Sequence, residues 1–152
     1  MKRKAIIITT LIIIAALLIL LVLSQIKESD SMKKTTIKLD GREIEVELAD
    51  SFFKGLRGLM FHEPLSENQG MFFIFSQEDY HGIWMANMSF SIDIVWIDAG
   101  LSVVSIERDV PPCKSFPCKS YYPTKEALYV LELQANSTND LEIGDKVDLG
   151  DI

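Results

Sequence analysis

The chain has 152 residues, a formal net charge of −7 and a mean hydropathy of +0.18. Removing Lys2, Arg3 and Lys4 from the 15 basic side chains leaves 12 against 22 acidic ones, a formal −10. So acidic a body argues against nucleic acid as a partner and against a domain lying flat on anionic lipid.

Residues 1–4 form a basic stub, expected on the cytoplasmic side. Ala5 to Leu23 is a run of nineteen residues in which only Thr9 and Thr10 are mildly polar. As a helix it reaches roughly 28 Å, about the hydrocarbon thickness of a bilayer. Basic residues before such a run place the N-terminus in the cytoplasm. Residues 5–23 are therefore expected to be a transmembrane signal anchor, with the rest of the chain extracytoplasmic. A cleavable signal peptide is the competing reading, with Val22-Leu23-Ser24 as a poor cleavage site, and it would make the domain secreted. A buried core helix is disfavoured because the run is apolar on every face. No CaaX box, no Met-Gly start and no Cys after the run supports a lipid anchor.

Residues 24–34 read as a polar linker, and residues 35–152 as one domain, a length that carries one core and not two. Thr35 to Leu39, Asp40-Gly41 and Arg42 to Leu48 predict a hairpin. Ile44, Val46 and Leu48 alternate there with Glu43, Glu45 and Glu47, one face buried and one solvated. Asp50 or Ser51 is expected to cap a short helix through Leu56 with Phe52, Phe53 and Leu56 inward, ended by Gly58 as a left-handed cap. Met71 to Phe75 reads as a strand buried on both faces, and Ser76 to Gly82 as a polar loop. Ile83 to Met88 and Ile92 to Ile97 are expected to pair through a tight turn at Ser89-Phe90-Ser91. Leu101 to Ile106, Ala127 to Gln134 and Asp145 to Leu149 complete the strands, with Asn136 to Leu141 a loop or single helical turn. The fold class is α+β: a compact, mainly antiparallel, strongly bent sheet or partly closed barrel with one or two short helices.

Cys113 and Cys118 lie in PPCKSFPC, a proline-stiffened loop. Outside the cytoplasm a disulfide is the favoured reading, and a metal or redox pair or a free thiol are the alternatives.

Familiar catalytic signatures are missing: no G-x-S-x-G, H-E-x-x-H, phosphate loop or dinucleotide fingerprint. The chain has two histidines, His62 and His81, so a histidine base must be one of them. Asp93 is flanked by Ile92 and Ile94 and is costly to bury unless paired. If Met88 pairs with Ile92, Asn87 lies opposite Asp93; the plainer role for Asp93 is to hold the Ser89–Ser91 turn through backbone amides. Met60, Met71, Met85 and Met88 raise Cu(I) as an idea, but a strand would put Met85 and Met88 on opposite faces, and core packing explains methionines without metal. No metal or other cofactor is implied. Asn87 and Asn136 both begin glycosylation acceptor triplets, with Asn87 expected to turn inward and Asn136 to lie in a polar loop.

GLMF at Gly58–Phe61, GMFFIF at Gly70–Phe75, IWMAN at Ile83–Asn87, IDIVWID at Ile92–Asp98 and YVLEL at Tyr129–Leu133 stand in order, with PPC…PC between and IGDKV at the end. In these motifs the chain resembles the DUF192 (UPF0127) family of bacterial and archaeal proteins, over roughly Ile44 to Leu149. The resemblance implies a compact α+β domain on a strongly bent antiparallel sheet, an unknown biochemical function, and frequent export or membrane anchoring. The family usually carries arginine before the GLM corner, a basic residue after it, and W-M-K-N-T in the central strand. Here those places hold Gly55, His62, Ala86 and Met88, so an anionic ligand is put in doubt.

Trp84, Met85, Asn87, Asp93 and Glu132 do match the family, and they are the expected ligand-binding residues, flooring one cleft. For Glu132 the plainer reading is a carboxylate facing solvent between Leu131 and Leu133. The expected function is a membrane-anchored, extracytoplasmic binding or accessory module for a small ligand or envelope component. A hydrolase using Asp93 with His81 or His62 is the alternative, and a purely structural envelope protein a third.

Overall fold

The computed structural model describes residues 2–29 and 32–150. The chain divides into two units, Met1–Ser31 and Met32–Ile152.

In the first unit α1 spans Lys2–Ser29, and its described side chains, from Ile6 to Val22, are exposed. Among the described residues no helix is long and apolar enough to cross a membrane.

The second unit is built on β1 (Lys33–Leu39), β2 (Arg42–Ala49), α2 (Phe52–Arg57), β3 (Gln69–Asp79), β4 (Ile83–Trp84), β5 (Ile92–Ile97), β6 (Val103–Val110), β7 (Ser120–Tyr121), β8 (Ala127–Gln134) and β9 (Val147–Asp148). Seven strands form one sheet in the order β6-β5-β8-β3-β2-β1-β9, and β4 and β7 pair separately. The hairpin is as expected: Asp40 and Gly41 both take positive φ, 49° and 73°, the geometry a two-residue turn needs between right-twisted strands. β2 and β3 run parallel across the α2 crossover, and every other pairing is antiparallel.

The sheet curls until its two edges nearly meet. β9 pairs β1, while Ser102 bridges Lys146 and the Val147 N–H donates to Leu101 O at 3.0 Å. Strand alternation then sorts the apolar residues onto two faces. Ile37, Val46, Phe72, Val95, Leu131 and Leu133 belong to a core inside the curl. Met71, Phe73, Ile94, Trp96 and Val130 belong to a second core on the outer face. That outer core needs a cover, and the small elements supply it.

The expected hairpin of Ile83–Met88 with Ile92–Ile97 does not form. β4 is two residues long and pairs with β7, and β5 lies between β6 and β8. Asn87 takes φ 54°, which ends strand geometry before any turn at Ser89. β3 runs on to Asp79 through the expected loop, because Asp79 pairs Ala127 beyond a bulge. Helix α2 has the expected position but not the expected orientation: Phe52 and Phe53 are 76 % and 80 % exposed, and Leu56 is exposed too. The reason lies in Gly55 and Gly58, whose bare sides face Phe73; a Cβ on Gly58 would meet the Phe73 ring at 3.4 Å. The glycine side closes on the sheet and the bulky side is left outward.

Asp93 is fully buried and faces the inner side, paired in register with Leu133. Its Oδ1 accepts from the N–H groups of Asp109 (2.8 Å) and Asn136 (3.0 Å). Its Oδ2 accepts from the Thr138 N–H (3.0 Å) and hydroxyl (2.8 Å). A bulge in β6, where Asp109 has φ 49°, aims the first of these donors. Asp93 thus holds the 136–138 loop, not the Ser89–Ser91 turn, and Asn87 is not opposite it. Arg108 secures the same loop by donating to Thr138 O and Leu141 O, and Leu141 joins the inner core. Asp93→Asn puts an amide where two Thr138 donors or two N–H groups now converge. It should lower unfolding free energy by about 2–4 kcal/mol, measured by urea denaturation; a loss under about 0.5 kcal/mol would contradict this role.

Candidate functional site

On the outer face a cleft of about 640 Å³ opens between α2 and the β4–β7 pair. Its floor includes Phe73, Phe75, Ile92 and Glu132, one wall is α2 with the Gly58–Met60 corner, and the other includes Ile83, Trp84, Met85 and Ser120. The walls are tied at one end, where the Phe61 N–H donates to Asn87 O (3.1 Å) and Asn87 Nδ2 to Met60 Sδ (3.7 Å). The far wall is braced by the cysteine loop. Cys113 and Cys118 form a disulfide with Cα atoms 5.6 Å apart, and the Cys113 N–H donates to Met85 O at 3.0 Å.

Glu132 decides the chemistry. It faces the outer side, opposite Met71 on β3 and Ile94 on β5. It is 4 % exposed, and its Oε2 has no hydrogen-bond partner. The solvent-facing reading is therefore corrected: Leu131 and Leu133 fill the inside of the curl, and the residue between them lands under the cleft. Burial without a compensating charge raises its pKa from 4.5 to about 8.

The expected site residues separate into two groups. Trp84, Met85 and Glu132 line the cleft together. Asn87 is exposed, against the expectation that it turns inward, and clips the cleft's edge. Asp93 lies on the opposite face of the sheet and is absent from the lining. His81 stacks on Phe75 with ring centroids 3.6 Å apart and bonds Gln77 O, while His62 bonds Met60 O and Glu47. Asp93 and the histidines thus have separate partners and form no acid–base pair. Met60, Met85 and Met88 all reach the cleft, because the chain leaves strand geometry after Trp84. Among the described residues no group of three His, Cys, Asp or Glu could hold a metal.

Sequence reasoning missed Met60, Met88, Phe73 and Ser120 as lining residues. Gly55 and Gly58, three apart on a short helix, were the available sign of a close helix–sheet approach beside an opening.

The raised Glu132 pKa has a consequence for stability. The folded chain keeps this proton up to about pH 8, whereas the unfolded chain loses it near 4.5. The folded state binds the extra proton, so this contribution is full below 4.5 and is lost as pH rises through about 8. Against Glu132→Gln, wild-type stability should fall between pH 5 and 8 by several kcal/mol, on the order of 1.4 per pKa unit. Parallel unfolding free energies for the two proteins across that range would contradict it.

The family model of DUF192, described as Uncharacterized ACR, COG1430, matches residues 32–149. A UPF0127 protein of Thermococcus sibiricus is 34 % identical over 107 residues, 68 % of this chain and 64 % of its own length, so the chain spans somewhat under two thirds of that relative. A UPF0127 protein of Pyrococcus horikoshii is 34 % identical over 112 residues, covering 69 % of this chain and 87 % of its own. Among solved structures, a protein of unknown function from Novosphingobium aromaticivorans superposes with TM-score 0.72 at 23 % identity, over 78 % of this chain and 87 % of that one, a likeness of fold alone. A Sinorhizobium meliloti protein, proposed as a transcription regulator, gives TM-score 0.69 at 26 % identity, over 78 % and 95 %. On the family match and the identities together, the chain belongs to the DUF192 (UPF0127) family, whose biochemical function is unknown.

Proposed function

We propose that this chain is a membrane-anchored, extracytoplasmic binding module whose small ligand occupies the cleft between α2 and the β4–β7 pair. The observation that carries the reading is the unpartnered Glu132 Oε2 beneath a largely apolar cleft. A buried polar atom left without a partner is costly in a resting structure, and a ligand that reaches it recovers that cost. Trp84 and Met85 are the proposed contact residues beside it, Asn87 fastens the walls, and Asp93 positions the sheet from its other face. Phe52 and Trp84 on the lining are exposed, and so are Phe53 and Phe61, next in sequence to lining residues Phe52 and Met60; exposed apolar groups at an opening suit a binding surface. The membrane part of the proposal rests on the apolar run 5–23 and its basic flank.

A hydrolytic role has less support, since Asp93 spends both oxygens on backbone and Thr138 donors. A regulatory role through DNA finds no support in a chain of net charge −7.

Gly55 offers a direct test. It lines the cleft, and a Cβ there would meet only Phe73 Cδ1, at 3.9 Å. Gly55→Leu should fill the cleft while improving helix propensity by up to about 1 kcal/mol. Titrated with Nile red, the full chain should show a fluorescence rise that Gly55→Leu weakens by about tenfold in affinity, roughly 1.4 kcal/mol. Equal binding by the two proteins would contradict the cleft as the ligand site.

A further inference from the structure

We propose that the cleft's ligand is an organic ammonium, a primary or secondary amine carried on an apolar body. The proposal rests on the binding reading above and specifies the ligand's chemistry.

The cleft's lining is mostly apolar. Apart from Glu132, its charged side chains are Asp50 and Arg57. Asp50 is already held by Lys54 at 2.9 Å, with its pKa lowered by that hydrogen bond. The strands on either side place apolar residues opposite Glu132, Met71 on β3 and Ile94 on β5, and the far wall adds Ile83, Trp84 and Ser120. One acceptor oxygen therefore waits in a space whose lining includes aromatic and thioether side chains. An N–H⁺ group satisfies that oxygen with a charge-assisted bond. Its apolar body and the charge itself are both favoured against Trp84, Phe73 and Phe75. The chain as a whole is acidic, net −7, which favours a cationic partner over an anionic one. A bare metal ion fits less well, because the only other carboxylate on the lining is engaged. Among the described residues Arg57 is the one cationic side chain on the lining, and octanoate represents the anionic ligand it would favour.

Binding then involves a proton transfer that balances simply. The ammonium arrives protonated and the Glu132 carboxyl releases its proton to solvent. What remains in the cleft is a carboxylate paired with the ammonium. Because Glu132 holds its proton up to about pH 8, binding at pH 7 should release close to one proton, and affinity should rise with pH up to about 8 and level off above it.

The test compares octylammonium, octyltrimethylammonium, 1-octanol and octanoate on the full chain. Binding is read by Trp84 fluorescence and by calorimetry in two buffers of different ionisation enthalpy. Octylammonium should bind about tenfold or more tighter than 1-octanol, the size of a hydrogen bond to a charged group. It should release about one proton, and octyltrimethylammonium, lacking N–H, should fall between the two. Glu132→Gln should remove the preference and the proton release while still binding 1-octanol. If 1-octanol binds as tightly as octylammonium, or Glu132→Gln keeps the preference, the ammonium assignment is overturned and the cleft stands as a neutral apolar site. If octanoate binds tightest, the assignment is likewise overturned in favour of an anion. If no probe binds either protein, the binding reading itself falls, and this proposal with it.

Discussion

Two buried carboxyls on neighbouring strands, facing opposite sides of one sheet, organise this molecule. Asp93 on β5 meets four donors and behaves as a structural fastening. Glu132 on β8 has a partnerless oxygen and a pKa moved up to about 8 by burial. The same rule governs both: a buried charge must be paired, hydrogen-bonded or neutralised. Asp93 takes the second route and Glu132 the third.

The remaining architecture follows from covering a sheet that is apolar on both faces. Curling buries the inner face, sealed by residues 144–148 at the seam and by the 136–141 loop that Asp93 and Arg108 hold down. The outer face is too large for a six-residue helix and two two-residue strands to cover. The part they miss is the cleft, and Glu132 lies beneath it. The disulfide loop reaches Met85 through a single backbone bond, so a covalent link far along the chain keeps one wall in place.

Much of this was legible from the residues. Asp40-Gly41 specifies its hairpin because both positions accept positive φ, and Ala127 to Gln134 forms the strand its pattern predicts. The bent, partly closed sheet was also foreseeable, and so was the disulfide. What failed depends on long-range pairing. Nothing local tells Ile83 and Trp84 to pair with Ser120 and Tyr121 instead of with β5. Phe52 and Phe53 look like core residues until the glycine side of α2 is known to face Phe73. Asp93 and Glu132 each sit between two apolar residues, so alternation alone cannot say which one finds donors. That distinction arises only when the 136–138 loop folds over one face and leaves the other open.

The most direct measurement is the titration of the Glu132 side-chain carboxyl carbon by NMR in the ligand-free full chain. A midpoint near 8 is the result the account requires. A midpoint in the ordinary carboxylate range, close to 4.5, would mean that this oxygen is already solvated or paired, and the cleft would lose the feature that makes it a binding site.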